Sequence, residues 1–159
     1  MTISVGDRIP DVVMNHMTGD GPAELSSGEL FGGKKVVLFA LPGAFTPTCS
    51  KAHVPGFVAN ADKLKAGGVD EIVCLSVNDA FVMDAWGANQ NAEALHMVAD
   101  GSANFTQAVG LELDLTERGM GIRSQRFAMI VDDGVVTALN VEEPGKFEKS
   151  SAEAMLALL

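Results

Sequence analysis

Two short apolar runs rich in β-branched residues lie in the first half of the chain. They cover residues 34–41 and 71–77, and Gly-Gly and Asn-Asp pairs bound them. A continuous apolar run of this length is typical of a strand that is buried on both faces of a sheet. We therefore expect two central parallel strands.

Two later runs, residues 126–132 and 135–141, flank an Asp-Asp-Gly corner. Such a corner between apolar runs favours a tight antiparallel turn. We expect these two runs to pair as a hairpin.

Helical patterns fall between and after these strands, at residues 49–65, 80–89, 104–109 and 151–159. Pro55 lies inside the first of them, where its ring would clash with the carbonyl of Lys51, so we expect that helix to be kinked. Ser150 and Glu153 have the spacing of a capping box and predict the start of the last helix.

The resulting order, β-α-β-α-α-β-β-α, predicts an α/β protein with a central mixed sheet flanked by helices. This is the order of elements in a thioredoxin-like fold. The chain contains no repeat, low-complexity tract or linker. Residues 1–159 are therefore expected to form a single domain.

Charge and hydropathy exclude several classes of function. The net charge is −10, with 11 Lys and Arg against 21 Asp and Glu, which opposes binding to nucleic acid or to an anionic membrane surface. No apolar run approaches the roughly 20 residues that span a bilayer. The first residues lack the pattern of a secretory or transit leader, so we expect a cytoplasmic protein.

Two cysteines are too few for a disulfide framework. Cys49 follows a polar loop, residues 42–48, that joins a predicted buried strand to a helix, and α/β sites form at such carboxyl ends. In the first turn of a helix, unpaired N–H groups and the helix dipole favour thiolate over thiol. A free cysteine can also be a small buried hydrophobe. The polar neighbours favour the reactive alternative.

Pro42, Thr46 and Cys49 fit the Pro-x-x-x-Thr-x-x-Cys motif of peroxiredoxins. Pro-Gly-Ala-Phe-Thr-Pro, the following Cys-Ser-Lys and Pro-Gly-Phe at 55–57 resemble the type II (fifth) subfamily. The resemblance continues through 75–82, 86–87, 123–133 and 139–142. It implies a thioredoxin fold, a homodimer and thiol-dependent reduction of hydrogen peroxide and organic hydroperoxides, with no metal or bound cofactor.

The resemblance also implies residue roles. Cys49 would be the peroxidatic cysteine, whose thiolate attacks the peroxide and becomes a sulfenic acid. Thr46 would hydrogen-bond both thiolate and peroxide, Arg126 would be the nearby cation, and Pro42 would shield the pocket. Substrate contacts would also come from Gly43 and from the backbone N–H at Thr48, where many relatives carry glycine.

The resemblance leaves the reductant open. The resolving cysteine that animal members carry near the last helix is absent from residues 148–151, and Cys74 matches the second cysteine of plant members. Because Cys74 lies in the apolar middle of a predicted strand, we interpret it as a core thiol and keep a resolving role as the alternative. Glutaredoxin with glutathione, or thioredoxin, would then recycle Cys49.

Two other functions are compatible with the residues. His53 follows Cys49 by four positions, so a Cys-His acyl hydrolase is conceivable, but no third orienting residue is evident and a packed histidine is favoured. The second alternative is a non-catalytic redox-sensing module.

The three histidines are scattered and predict no metal site. Arg123 is expected to be an exposed or dimer-facing charge, and Trp86 could pack in the core or at a dimer face.

Overall fold

Nine strands form the framework of the protein, and the computed structural model describes residues 1–159. In chain order the strands are β1 (Val13–Thr18), β2 (Gly21–Ser26), β3 (Lys35–Leu41), β4 (Glu71–Ser76), β5 (His96–Ala99), β6 (Glu112–Leu115), β7 (Gly121–Ser124), β8 (Phe127–Asp132) and β9 (Val135–Val141). Seven of them make one sheet in the order β2-β1-β5-β4-β3-β8-β9, and β6 pairs with β7 in a separate ribbon. The three central strands β5, β4 and β3 are parallel, whereas the outer pairs are antiparallel. The sheet is therefore mixed, as expected.

Six short helices cover the sheet. They are α1 (Ser27–Phe31), α2 (Val54–Ala59), α3 (Ala61–Ala66), α4 (Ala80–Asn89), α5 (Asn104–Ala108) and α6 (Ala152–Leu156). A π-helical turn at Cys49–His53 leads into α2, and a 3-10 turn at Thr116–Arg118 connects β6 to β7. No helix reaches the length and apolarity that a membrane crossing requires.

The predicted central strands and hairpin are confirmed. Strands β3 and β4 pair in parallel. Alternate side chains along each strand face opposite sides of the sheet, and the apolar side chains on both sides are buried. The turn between β8 and β9 places Asp133 at φ 46° and Gly134 at φ 81°. Two successive residues with positive φ match the right-handed twist of the flanking strands, which explains the Asp-Gly signal.

Alternation along β3 divides the core into two parts. One part combines Phe39 with side chains from α2, α3, α4 and α6, and it includes both cysteines. The other combines Leu38 with side chains from α1 and α5. Helices therefore cover both faces of the sheet, and Cys49 lies on the same side as Cys74.

The predicted element order misses several strands. The hairpin of β1 and β2, the short strand β5 and the ribbon of β6 and β7 were not expected. In β1 and β6 the burial alternates or stays partial, because β1 lies next to the edge strand β2 and β6 lies outside the main sheet. Their sequences therefore lack the continuous apolar run that marks β3 and β4.

The helix expected at residues 49–65 is divided differently from the prediction. The N–H of Val54 donates to the carbonyl of Cys49, five residues back, which defines the π-helical turn. Pro55 then stands in the first turn of α2, where its missing N–H removes no helical hydrogen bond. The chain breaks at Asn60, between α2 and α3. The disruption expected at Pro55 thus takes the form of a π-helical turn directly before α2.

The start of the last helix is one residue later than predicted. The side chain of Ser151 accepts the N–H of Ala154 and caps α6. The hydroxyl of Ser150 instead donates to Glu142. The expected capping box of Ser150 with Glu153 is therefore wrong, because a buried acceptor outside the helix binds the Ser150 hydroxyl.

Two of the histidines are not scattered. Nδ1 of His16 and Nε2 of His96 lie 2.8 Å apart, and Nδ1 of His96 hydrogen-bonds to Glu71. They meet because β1 pairs with β5 across a long sequence separation. Burial and the nearby His96 lower the pKa of His16. No group of three His, Cys, Asp or Glu side chains has the geometry of a metal site.

Candidate active site

The loop after β3 is held in place from two sides. The N–H of Ala44 donates to Oδ1 of Asn78 (3.0 Å), and the hydroxyl of Ser76 donates to the same oxygen (2.6 Å). From the opposite side, Nη1 of Arg123 donates to the carbonyl of Pro42 (3.2 Å). The loop therefore enters the π-helical turn in a fixed conformation.

Cys49 stands at the start of that turn and is fully buried. Nη2 of Arg126 donates to its Sγ at 3.2 Å. The N–H of Ser50 donates to the carbonyl of Thr46, so the N–H groups of Thr48 and Cys49 lie at the open end of the helical segment. A guanidinium and open N–H groups around one sulfur can stabilise negative charge on it.

Arg126 is itself oriented by His53. Its Nη1 donates to Nδ1 of His53 at 2.8 Å, so the ring proton must lie on Nε2, which donates to the carbonyl of Ser150 at 2.8 Å. The imidazole is fully buried and packs between Phe39 and Phe147. Burial, and next the charge of Arg126, lower the pKa of His53 to about 3. His53 is therefore neutral at physiological pH.

This arrangement does not favour the acyl hydrolase. Both ring nitrogens of His53 bind other partners, and neither binds Cys49. A ring with a pKa of about 3 is also too weak a base to activate a thiol. His53 is thus the packed histidine that we favoured, with the additional property that it holds Arg126.

Glu142 holds the far end of this chain of contacts. Its Oε2 accepts the N–H groups of Glu148, Lys149 and Ser150 at 2.8 Å each, together with the Ser150 hydroxyl at 2.7 Å. Burial by itself would raise the pKa of Glu142, but these hydrogen bonds outweigh it and the pKa is lowered. The carboxylate therefore fixes the loop that presents the Ser150 carbonyl to His53.

Thr46 and Gly43 lie next to each other in the loop. The Thr46 hydroxyl donates to the carbonyl of Gly43 at 2.7 Å, so in this structure its proton does not point to Cys49. A Cβ at Gly43 would lie 2.7 Å from Nη1 of Arg123, so a larger residue here would displace the end of the Arg123 side chain. Thr48 is exposed. Of the residues expected at the site from the sequence, the structure brings Arg126 to Cys49, places Pro42 and Arg126 on one cavity and joins Thr46 to Gly43.

Cys74 lies apart from this hydrogen-bond network. It is fully buried in β4 and unpaired, as is Cys49. Burial, with a smaller contribution from Cys49, raises the pKa of the Cys74 thiol well above its usual value. A protonated, inaccessible thiol is a poor nucleophile.

Three contributors were missed or left open by sequence reasoning. Arg123 is half-buried against the active-site loop, where we expected an exposed or dimer-facing charge. Asn78 carried no signal except its place after β4, where site residues gather. Trp86 is fully buried, and its Nε1 donates to the hydroxyl of Ser50, beside Cys49. It therefore belongs to the core.

Comparisons with known proteins identify the family of this chain. The sequence model of the redoxin family matches residues 4–156. Peroxiredoxin-2D of Arabidopsis thaliana is 51% identical over 159 residues, which cover 99% of this chain and 98% of the relative. Peroxiredoxin-2C of Oryza sativa is 52% identical over 160 residues, with 99% and 98% covered.

A solved structure is similarly close. The reduced Prx3 of Vibrio vulnificus in complex with hydrogen peroxide has a TM-score of 0.96 and 57% identity, with 99% of both chains covered. The match spans the whole fold, including the loop of Pro42 and Cys49. This chain belongs to the redoxin family and, within it, to the type II peroxiredoxins, which are thiol-dependent peroxidases.

Proposed function

We propose that Cys49 is the peroxidatic cysteine and that Arg126 is its principal partner in the reaction. The observation that carries the proposal is the 3.2 Å contact between Nη2 of Arg126 and Sγ of Cys49. The peroxide complex of the Vibrio vulnificus relative supports hydrogen peroxide as a substrate. Organic hydroperoxides share the same reacting O–O bond and are included in the proposal.

The reaction transfers one oxygen atom to sulfur. The thiolate of Cys49 attacks one peroxide oxygen, the S–O bond forms and the O–O bond breaks. The leaving oxygen takes up from solvent the proton that the Cys49 thiol released when it ionised, and departs as water or an alcohol. Sulfur is oxidised to a sulfenic acid and the peroxide is reduced.

Positioning must supply much of the rate. A more stable thiolate is also a weaker nucleophile, so thiolate formation alone gains little. In the proposal, Arg126 and the open N–H groups at Thr48 and Cys49 stabilise charge on the leaving oxygen. The Thr46 hydroxyl, which donates to the carbonyl of Gly43, accepts a hydrogen bond from the peroxide O–H through its free lone pairs. Pro42 shields the pocket.

Thiol-based reductants complete the cycle of these enzymes, and we propose an external one here. Cys74 is buried and unpaired, which supports reduction of Cys49 by glutaredoxin with glutathione, or by thioredoxin. Two unpaired cysteines suit the reducing cytoplasm. We treat residues 1–159 as one functional domain that requires no metal or bound cofactor.

A homodimer is part of the proposal. Phe45 and Phe81 are 54% and 66% exposed, and the Phe45 ring lies 6.3 Å from that of Trp86 in α4. Exposed aromatic residues beside a site often mark a protein interface.

Peroxide consumption by the purified protein tests the proposal. Glutaredoxin with glutathione and thioredoxin are supplied side by side, and Cys49→Ser is the control. We expect many turnovers with at least one reductant and none from Cys49→Ser. A single turnover per protein would favour a redox-sensing module, and consumption by Cys49→Ser would remove Cys49 from the mechanism.

A further inference from the structure

Glu142, the residue after β9, is tied to Arg126 by its backbone and to the 148–150 loop by its side chain. Its N–H donates to the carbonyl of Arg126 at 2.9 Å, which continues the pairing of β8 with β9. The side chain is 6% exposed, and its Oε2 accepts four hydrogen bonds from the loop. Asn140 adds one more, to the carbonyl of Lys149 at 2.8 Å. Glu142 therefore supplies most of the side-chain hydrogen bonds that hold this loop.

The segment 147–150 covers the pair formed by His53 and Arg126. The carbonyl of Ser150 accepts the N–H at Nε2 of His53 at 2.8 Å. The Phe147 ring lies with its centroid 4.9 Å from that of the imidazole and 5.9 Å from the guanidinium carbon of Arg126. A displacement of this segment would thus alter the surroundings of both side chains.

The Ser150 carbonyl decides which nitrogen of His53 carries the proton. A neutral imidazole has one N–H group and one acceptor nitrogen. Because Nε2 donates to this carbonyl, Nδ1 is left as the acceptor for Nη1 of Arg126, at 2.8 Å. If the carbonyl moved away, the buried N–H would lose its acceptor, and a proton transferred to Nδ1 would face the N–H of Arg126. The loop therefore keeps the ring in the form that binds Arg126.

The guanidinium of Arg126 transmits this orientation to the sulfur. It is planar, and its N–H groups form a rigid fork, so fixing Nη1 also fixes Nη2. Nη1 is held by His53, and Nη2 donates to Sγ of Cys49 at 3.2 Å. A rotation that breaks the first contact moves the second donor. Donors that stabilise a transition state must be placed beforehand, and a misplacement of about 1 Å can slow a reaction about 100-fold.

We propose that Glu142 is a positioning residue for the peroxide reaction: by anchoring the 148–150 loop, it keeps Arg126 on the sulfur of Cys49. The inference rests on the proposed function, in which Arg126 acts on Cys49. Glu142 touches neither the sulfur nor the peroxide, and its effect passes through the loop and the imidazole of His53. A purely structural Glu142 would stabilise the fold without any specific effect on Arg126.

A double-mutant cycle tests whether Glu142 acts through Arg126. Stopped-flow fluorescence gives the rate constant for oxidation of Cys49 by hydrogen peroxide in the wild type, Glu142→Gln, Arg126→Ala and the double variant. Glutamine keeps a carbonyl acceptor but loses the charge, so the hydrogen bonds of the loop become weaker. We expect Glu142→Gln to slow the reaction about tenfold when Arg126 is present, and less than about twofold in the Arg126→Ala background.

Two further variants complete the cycle. Glu143→Gln makes the same charge change in the next residue, whose side chain is exposed, and should change the rate less than about twofold. Ser150→Ala removes one of the four hydrogen bonds to Glu142 and decides the case if Glu142→Gln does not fold. It should slow the reaction about threefold, again only when Arg126 is present. A loss that persists in the Arg126→Ala background, or an unchanged rate in the folded variants, would overturn the inference.

A nitrogen-15 NMR measurement separates this inference from the proposed function, because it needs no peroxide. The Nε2–H group of His53 is buried and donates to a backbone carbonyl, so its proton should exchange slowly with water in the reduced wild type. We expect exchange to be at least about tenfold faster in Glu142→Gln, or in Ser150→Ala if that variant replaces it, and unchanged in Glu143→Gln. Failure of peroxide to oxidise Cys49 in the wild type would refute the proposed function, and this comparison would still decide whether Glu142 orders the His53 ring. Equal exchange in the wild type and the loop variants would overturn the inference.

Discussion

His53→Gln is expected to remove a specific acid-linked loss of stability. In the folded protein His53 is neutral, because it is buried and its Nδ1 accepts from the charged Arg126. Glutamine does not titrate, and its NH₂ group can still donate to the carbonyl of Ser150. The substitution thus removes the protonation equilibrium and retains one of the two hydrogen bonds.

The magnitude follows from the two pKa values. The pKa of His53 falls from 6.5 to about 3 on folding, so below pH 6.5 the unfolded chain binds a proton that the folded protein rejects. Stability is therefore complete above pH 6.5 and decreases as the pH falls towards 3. The loss reaches about 1.4 kcal/mol at pH 5.5, about 3 kcal/mol at pH 4.5 and about 5 kcal/mol in full.

Urea unfolding at a series of pH values between 8 and 4.5 measures this loss. Carboxylates and His16 titrate in both the wild type and His53→Gln. Their contributions therefore cancel when the unfolding free energy of one protein is subtracted from that of the other. That difference should shift by about 3 kcal/mol in favour of the variant between pH 8 and 4.5. Parallel stability curves would refute the assignment of His53 as a buried neutral partner of Arg126.

Three further substitutions test the reacting groups. Arg126→Ala is expected to slow oxidation of Cys49 by hydrogen peroxide about 100-fold, measured by stopped-flow fluorescence of Trp86, and a loss below about threefold would contradict its role. Thr46→Val should lower the same rate by at least about tenfold while the thermal midpoint changes little; an unimpaired variant would exclude the hydroxyl. Cys74→Ala should lose about 1–2 kcal/mol of stability through a small core cavity and keep most reductant-dependent turnover. Abolished turnover, together with a Cys49–Cys74 disulfide in the wild type, would make Cys74 the resolving cysteine.

The sequence was most informative where burial is complete. The continuous apolar runs of β3 and β4 identify the centre of the sheet, because a strand covered on both faces has no polar side. A continuous apolar run does not mark β1, which lies next to the edge strand β2 and is only partly buried. Short strands such as β5 are formed by pairing with a neighbour, and no local pattern records that pairing.

The site was predictable only as far as the motif extends. Cys49 carries a local signal, since it follows a buried strand at the start of a helical segment. The contact of Arg126 with Cys49 spans 77 positions, and only the family resemblance indicated it. The spacing of His53 after Cys49 suggested that the two side chains face each other, but the ring binds Arg126 instead.

The role of Glu142 as the anchor of the 148–150 loop had no signal in the sequence at all. An Asn-Val-Glu segment at the end of β9 looks like an ordinary strand terminus. Its role arises from the 148–150 loop, whose three N–H groups converge on Oε2 of Glu142. Such convergence depends on tertiary structure and cannot be inferred from spacing.

The central claim is that peroxide oxidises the sulfur of Cys49, and peptide mass spectrometry tests it most directly. Reduced protein is mixed with one equivalent of hydrogen peroxide, trapped at once with a sulfenic-acid reagent and digested. The peptide that contains Cys49 should carry one trapped sulfenic acid per chain, while Cys74 remains a thiol, and Cys49→Ser should take up no reagent. Reagent on Cys74, or oxygen found on methionines with Cys49 still reduced, would contradict the account.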